Sequence, residues 1–259
     1  MPERTIAVVG EDRRQAAAAR ALAAAGRRVG GPEAVPGADY VLFPVPLAMD
    51  EARLMALLRR AKPGALLLGG KAPAAAAALG LEWIDCFARE ELAVCNAVPT
   101  AEGCIGILLA RRTRTLWDAP VLVTGYGRVG QAVADRLTAL GARVTVGARS
   151  PAQRALARSR GGAALPLEGL AAAAPGFDTA VNTIPAPVLT GPVLAALRPG
   201  SLIVDLASAP GGTDFAAAAA LGHTALLASG LPARCAPDSA GAYLAQTVLH
   251  IMEEREAVG

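Results

Sequence analysis

The segment Val121–Gly130 reads VLVTGYGRVG. Strand-forming residues run straight into Gly125-x-Gly127-x-x-Gly130, and a helical pattern follows. That context on both sides calls for a parallel βαβ unit. Gly125 permits the tight turn off the strand. Gly127 lets backbone approach a pyrophosphate, and Gly130 lets the helix pack near the strand. Free N–H groups at the helix start then face the phosphates. Gly125, Tyr126, Gly127, Arg128, Val129 and Gly130 are therefore assigned to a dinucleotide. A Gly-rich βα turn that binds nothing is the alternative, and the flanking pattern counts against it.

The next strand is Arg143–Gly147, after Gly141 at a helix end. An NAD site places Asp or Glu about twenty residues past the glycines, on the ribose hydroxyls. No carboxylate stands there. The chain reads Ala148-Arg149-Ser150, with Arg154 one turn later. Guanidinium and hydroxyl groups suit a 2′-phosphate, which a carboxylate would repel. NADP is the expected cofactor, held by Arg149, Ser150 and Arg154. Two solvated surface arginines are the alternative.

Composition excludes several classes. The chain has 259 residues, 53% of them hydrophobic, enough for one large core or two ordinary ones. Aromatic residues are 3%, too few for stacking platforms on single-stranded nucleic acid. The 25 basic and 22 acidic residues are too balanced for a polyanionic partner, so no nucleic acid is expected. No signal peptide is visible after MPERT, and every long apolar stretch is broken by a charge, Pro or Gly, so no membrane span is expected. Cys86, Cys95, Cys104 and Cys235 form no CxxC pair, so no metal is expected.

Strand and helix signals alternate along the chain. Strands are predicted over 6–9, 40–43, 65–68 and 81–84, with helices over 13–25, 51–60 and 73–79 between them. A bridging helix is predicted from Thr100, its N-cap, to Arg114. Further strands are predicted over 178–184, 201–206 and 224–228, and a last helix over about 240–256. This predicts two Rossmann-like, doubly wound parallel-sheet α/β domains with an interdomain cleft. Residues 1–99 form the substrate-side domain and 100–239 the NADP domain, with helix 240–259 returning to the first.

In such sheets ligands sit beyond the carboxyl ends of the strands. Asn182, Thr183, Ile184 and Pro185 follow one strand, and Asp205 to Asp214 follow the next. Asn182, Thr183, Ile184 and Pro185 are assigned to the coenzyme, and Asn182, Asp205 and Ser208 to catalysis; turn capping explains the last three equally well. Substrate contacts are assigned to Arg14, to Asn96, Pro99, Thr100, Glu102 and Gly103, and to Gly230 and Leu231. The stretch 96–103 is read as a polar loop whose helix N-terminus attracts a carboxylate. His223 and His250 lie outside the strand-end loops and offer no acid–base group.

These residues resemble a known family. NAVPTAEG at 96–103, GYGRVG at 125–130, VGARS at 146–150, NTIP at 182–185 and DLASAPGGTDF at 205–215 look like the A subunits of bacterial dipicolinate synthases. VVGEDRRQ at 8–15 and GLPARCAPDSAG at 230–241 fit as well, while Glu11, Ala209 and Arg234-Cys235 depart from the pattern. The resemblance implies NADP-dependent oxidation of a dihydro or hydrated dicarboxylate intermediate to dipicolinate during spore formation. It implies that the partner is a flavoprotein-like B subunit and that the location is the mother-cell cytoplasm; homo-oligomer formation stays open. Two alternatives remain. One is a nucleotide-binding scaffold for the flavoprotein. The other is a shikimate- or 2-hydroxyacid-type dehydrogenase, whose Lys–Asp pair or late His this chain does not clearly offer.

Overall fold

A computed structural model describes residues 4–258. The chain forms two compact units, Met1–Asn96 with Pro232–Gly259, and Ala97–Leu231. In chain order, unit one holds β1 (Thr5–Val8), α1 (Arg13–Ala24), β2 (Arg28–Gly30), β3 (Tyr40–Leu42), α2 (Glu51–Arg60), β4 (Leu66–Gly69), α3 (Ala74–Ala78) and β5 (Glu82–Asp85). Helix α4 (Glu90–Arg111) begins in unit one and ends in unit two. Unit two continues with β6 (Pro120–Thr124), α5 (Arg128–Ala139), β7 (Arg143–Gly147), α6 (Pro151–Ser159), β8 (Ala163–Leu165), α7 (Leu170–Ala173), β9 (Thr179–Asn182), α8 (Gly191–Ala196), β10 (Leu202–Asp205), α9 (Phe215–Ala220) and β11 (Thr224–Leu227). The chain closes with α10 (Leu231–Cys235) and α11 (Pro237–Val258).

Both sheets are parallel. The strand order in unit one is β2-β1-β3-β4-β5, and in unit two β11-β10-β9-β6-β7-β8. Each order reverses once, between β1 and β3 and between β6 and β9, and such reversals open a crevice beyond the strand ends. Apolar residues alternate to both faces, as parallel strands covered on both sides require. In unit one, Ile6 and Leu68 pack on one side with Leu22, Leu244 and Val248. Ala7, Val41 and Leu67 pack on the other with Leu54 and Leu58. Asp12 caps α1, its side chain accepting from Gln15 N at 2.8 Å, and Asp50 caps α2 in the same way.

Helix α4 corrects the expected polar loop at 96–103. Glu90 and Glu91 occupy its first turn and complement the helix dipole. The helix continues through Pro99, whose missing N–H leaves one turn unbonded without ending the element. Thr100 is therefore an interior residue and no N-cap. By length and composition α4 is apolar enough to cross a membrane, with a mean hydropathy of 1.6. Yet Leu92 packs in the core of unit one, and Ala101, Cys104 and Leu108 pack in the core of unit two.

Candidate functional site

The glycine turn joins β6 to α5 at the reversal of the unit-two sheet. Gly125 has φ +92°, and a Cβ there would lie 2.2 Å from Thr183 Oγ1. At Gly130 a Cβ would lie 2.2 Å from Gly125 O, so only glycine lets α5 start this close to the strand. Gly127, the N-cap of α5, has nothing within 4 Å of an added Cβ. The backbone there borders open space at a helix start, which fits a pyrophosphate. Tyr126 does not face that space: its ring is 3% exposed and belongs to the unit-two core. Val129 packs against the same core, so both assigned residues offer the coenzyme backbone only. Arg128 is exposed.

A buried polar ladder runs across the carboxyl ends of β6, β9 and β10. Thr124, Asn182 and Asp205 stand side by side in register. Thr124 Oγ1 donates to Asn182 Oδ1 at 2.7 Å, and Asn182 Nδ2 donates to Asp205 Oδ1 at 2.9 Å. Asn182 also donates to Ile184 O and accepts from Ile184 N, which shapes the turn at 183–185. Asp205 accepts from Ala207 N at 3.0 Å, Gly212 N at 2.8 Å and Thr213 Oγ1 at 2.7 Å. Asn182 and Asp205 are each 0% exposed. Their side chains hold the two loops and do not reach solvent, so the catalytic contact expected of them becomes a positioning role. Ser208 is exposed on the loop that Asp205 holds. Thr183 Oγ1 donates to Thr124 O at 2.8 Å, next to the glycine turn, and Pro185 is exposed.

Arg149 follows β7, the strand next to β6, and its side chain is exposed. Ser150 caps α6 by accepting from Gln153 N at 3.4 Å. Arg154 Nη1 donates to Ala148 O and Arg149 O, both at 2.7 Å. Arg154 thus fixes the backbone that presents Arg149, and its Nη1 is spent on carbonyls. One exposed guanidinium on a braced turn, one residue before the N-cap of α6, is a fitting anion site.

In unit one, Arg14 sits in the first turn of α1, after the β1 loop. It is 7% exposed, and its Nε is buried without a partner. Asp12 lies 3.7 Å away. Burial pushes the Arg14 guanidinium below its ordinary value, with Asp12 opposing. A buried cation with an unmet donor has capacity for a carboxylate. Lys71, two residues past β4, is exposed beyond the carboxyl end of the same sheet. Composition alone singles it out, as one of two lysines in the chain.

The remaining substrate assignments separate. Asn96 and Thr100 are half-buried on α4, and Pro99 and Gly103 are buried on it. Glu102 is exposed and pairs with Arg136 at 3.3 Å. No helix begins among them, so the carboxylate-binding N-terminus expected there does not exist. Gly230 is exposed, with φ +69°. Leu231 is 2% exposed and packs in the unit-two core, which removes its side chain from substrate contact.

A doubly wound unit with this glycine turn, joined in one chain to a second parallel-sheet unit, is the architecture of the NAD(P)-dependent oxidoreductases, and the chain is one of them. The model of the alanine dehydrogenase/PNT C-terminal domain family matches residues 94–248. The A subunit of dipicolinate synthase from Bacillus subtilis (strain 168) is 40% identical over 174 residues, which span 67% of this chain and 59% of that protein. The crystal structure of a Bacillus subtilis dipicolinate synthase A chain superposes with a TM-score of 0.88 at 31% identity, covering 100% of this chain and 99% of that one. The corresponding crystal structure from Bacillus halodurans gives 0.86 at 28% identity, covering 96% and 97%. The chain belongs to the family of dipicolinate synthase A subunits.

Proposed function

We propose that this chain oxidises a dihydro- or hydroxytetrahydro-dipicolinate intermediate to dipicolinate with NADP⁺. In this reading it works with a flavoprotein-like B subunit in the mother-cell cytoplasm of a sporulating bacterium. Likeness over the whole chain to a dipicolinate synthase A chain carries the reading. Bound nicotinamide supplies the hydride acceptor. The dihydro ring gives up a hydride and a proton and becomes aromatic; the hydroxylated form first loses water. Aromatisation supplies driving force, so the side chains need mainly to bind and orient.

The residues divide that task. The Gly125–Gly130 turn takes the pyrophosphate, and Arg149 takes the 2′-phosphate with Ser150. Arg154 braces Arg149 through the carbonyls of residues 148 and 149. Asn182 and Asp205 hold the 183–185 and 206–213 loops in place. Arg14 and Lys71 supply cations for the two substrate carboxylates.

One observation favours a second reading, a coenzyme-holding protein without chemistry of its own. Of the catalytic trio only Ser208 is exposed. A single assay decides. Purified chain is mixed with dihydrodipicolinate generated in situ and NADP⁺, with and without the flavoprotein partner. Dipicolinate absorbance rising together with NADPH in the chain alone supports the dehydrogenase reading. Product formed only when the partner is present, with no NADPH, refutes it.

A further inference from the structure

We infer that the amino ends of β9 and β10 carry a binding site for a small, multiply charged oxyanion of the phosphate class. A cavity of about 420 Å³ opens there among Arg111, Arg112, Arg114, Asp178, Arg198 and Gly200. All of it lies within unit two. Arg111 closes α4, Asp178 precedes β9, and Arg198 to Gly200 lead into β10. The strands are parallel, so this site and the glycine turn after β6 occupy opposite ends of one sheet.

Four guanidinium groups share the cavity with one carboxylate. Arg112 has claimed that carboxylate: its Nη1 donates to Asp178 Oδ1 at 2.8 Å and also to Thr179 Oγ1. Only 7% of the Arg112 side chain is exposed, and its Nε is buried with no partner. Arg198 spends Nε on Pro175 O at 3.2 Å and keeps both Nη groups. Among the described residues, no side-chain hydrogen bond or ion pair engages the Arg111 or Arg114 guanidinium. Burial alone would raise the Asp178 carboxyl. The Arg112 and Thr179 hydrogen bonds, with the charges of Arg112 and Arg198, outweigh it and hold the group below the usual carboxylate range.

Helix-end complementarity does not account for the cluster. A cation in the last turn of α4 complements that helix, and Arg111 suffices. Arg114 and Arg198 lie outside it. Like charges gathered around a concave space raise the local concentration of anions. Planar guanidinium forks match phosphate oxygens bidentately. The space exceeds one phosphate group, so phosphate with a substituent fits as well as the free ion.

The test is calorimetric titration of the intact chain with orthophosphate, pyrophosphate and glycerol 3-phosphate, at one ionic strength set by chloride. Wild type is compared with an Arg114→Gln/Arg198→Gln double variant, whose sites are exposed, and with Arg149→Ala. At least one anion should bind wild type and Arg149→Ala alike, and bind the double variant roughly tenfold more weakly or worse. Tightest binding of orthophosphate assigns the free ion, and tightest binding of glycerol 3-phosphate assigns an ester; either supports the site. Circular dichroism of the double variant checks that it folds. The inference is overturned if no anion binds wild type, if the double variant binds equally well, or if Arg149→Ala abolishes binding.

Discussion

Replacing Asp205 with Asn removes one acceptor oxygen and changes the shape of the site very little. The buried carboxylate accepts four hydrogen bonds, from Asn182 Nδ2 and Ala207 N on one oxygen and from Gly212 N and Thr213 Oγ1 on the other. An amide keeps one oxygen and turns an NH₂ toward the other pair. With the NH₂ toward Gly212 and Thr213, the Thr213 hydroxyl rotates to accept from it and only the Gly212 N–H is stranded. That stranded buried donor costs about 1–3 kcal/mol. For a domain of this size that lowers the melting temperature by roughly 2–12 °C. Thermal unfolding followed by circular dichroism measures it, and limited proteolysis reads the loosened 206–213 loop. A melting temperature within about 1 °C of wild type would refute the idea that Asp205 holds this loop.

Three other outcomes follow from the same geometry. Gly130→Ala places a Cβ 2.2 Å from Gly125 O; it should cost about 1–3 kcal/mol and weaken NADPH and NADH together in fluorescence titrations. Unchanged affinity for both would remove the turn from the site. Asp178 has its folded pKa depressed, so its stabilisation is present above the ordinary carboxylate range and is lost as pH falls through the folded value. Urea midpoints should therefore drop more between about pH 6 and about pH 3 for wild type than for Asp178→Asn; equal drops would contradict the pairing. Burial pushes the Cys86 and Cys104 thiols up to about 12, and Cys235 is exposed. A thiol reagent at mildly alkaline pH should label Cys235 in the native protein and reach Cys86 and Cys104 only after unfolding. Rapid native labelling of Cys86 or Cys104 would contradict their burial.

Most central strands were legible because their signal is local. Val121 to Thr124 is apolar and mostly β-branched up to its Thr, Arg143 to Gly147 carries β-branched residues at 144–146, each closes on a glycine, and both form strands where expected. The sheet-edge strands β2 and β8 escaped the pattern. Each has three residues, none of them buried, so neither carries an apolar run. Helix α4 was hidden by Pro99, which locally reads as a stop, whereas Leu92 on one side and Ala101, Cys104 and Leu108 on the other anchor the helix in cores. Tertiary burial overrode local propensity there. The site residues followed the same division. Gly125, Gly127 and Gly130 announce their turn through spacing alone. Asn182 and Asp205 stand 23 residues apart, and only strand pairing brings them together. Sequence marks them as polar residues at strand ends and does not show that their side chains are spent on each other.

Arg149 is proposed to recognise the 2′-phosphate of the coenzyme, and calorimetric titration with NADPH and NADH tests that most directly. A charge-assisted hydrogen bond of about 1.5–3 kcal/mol predicts NADPH roughly ten- to a hundredfold tighter in wild type. Arg149→Ala should weaken NADPH alone and bring the two affinities together. Equal affinities in wild type, or an Arg149→Ala chain that still prefers NADPH, would contradict it.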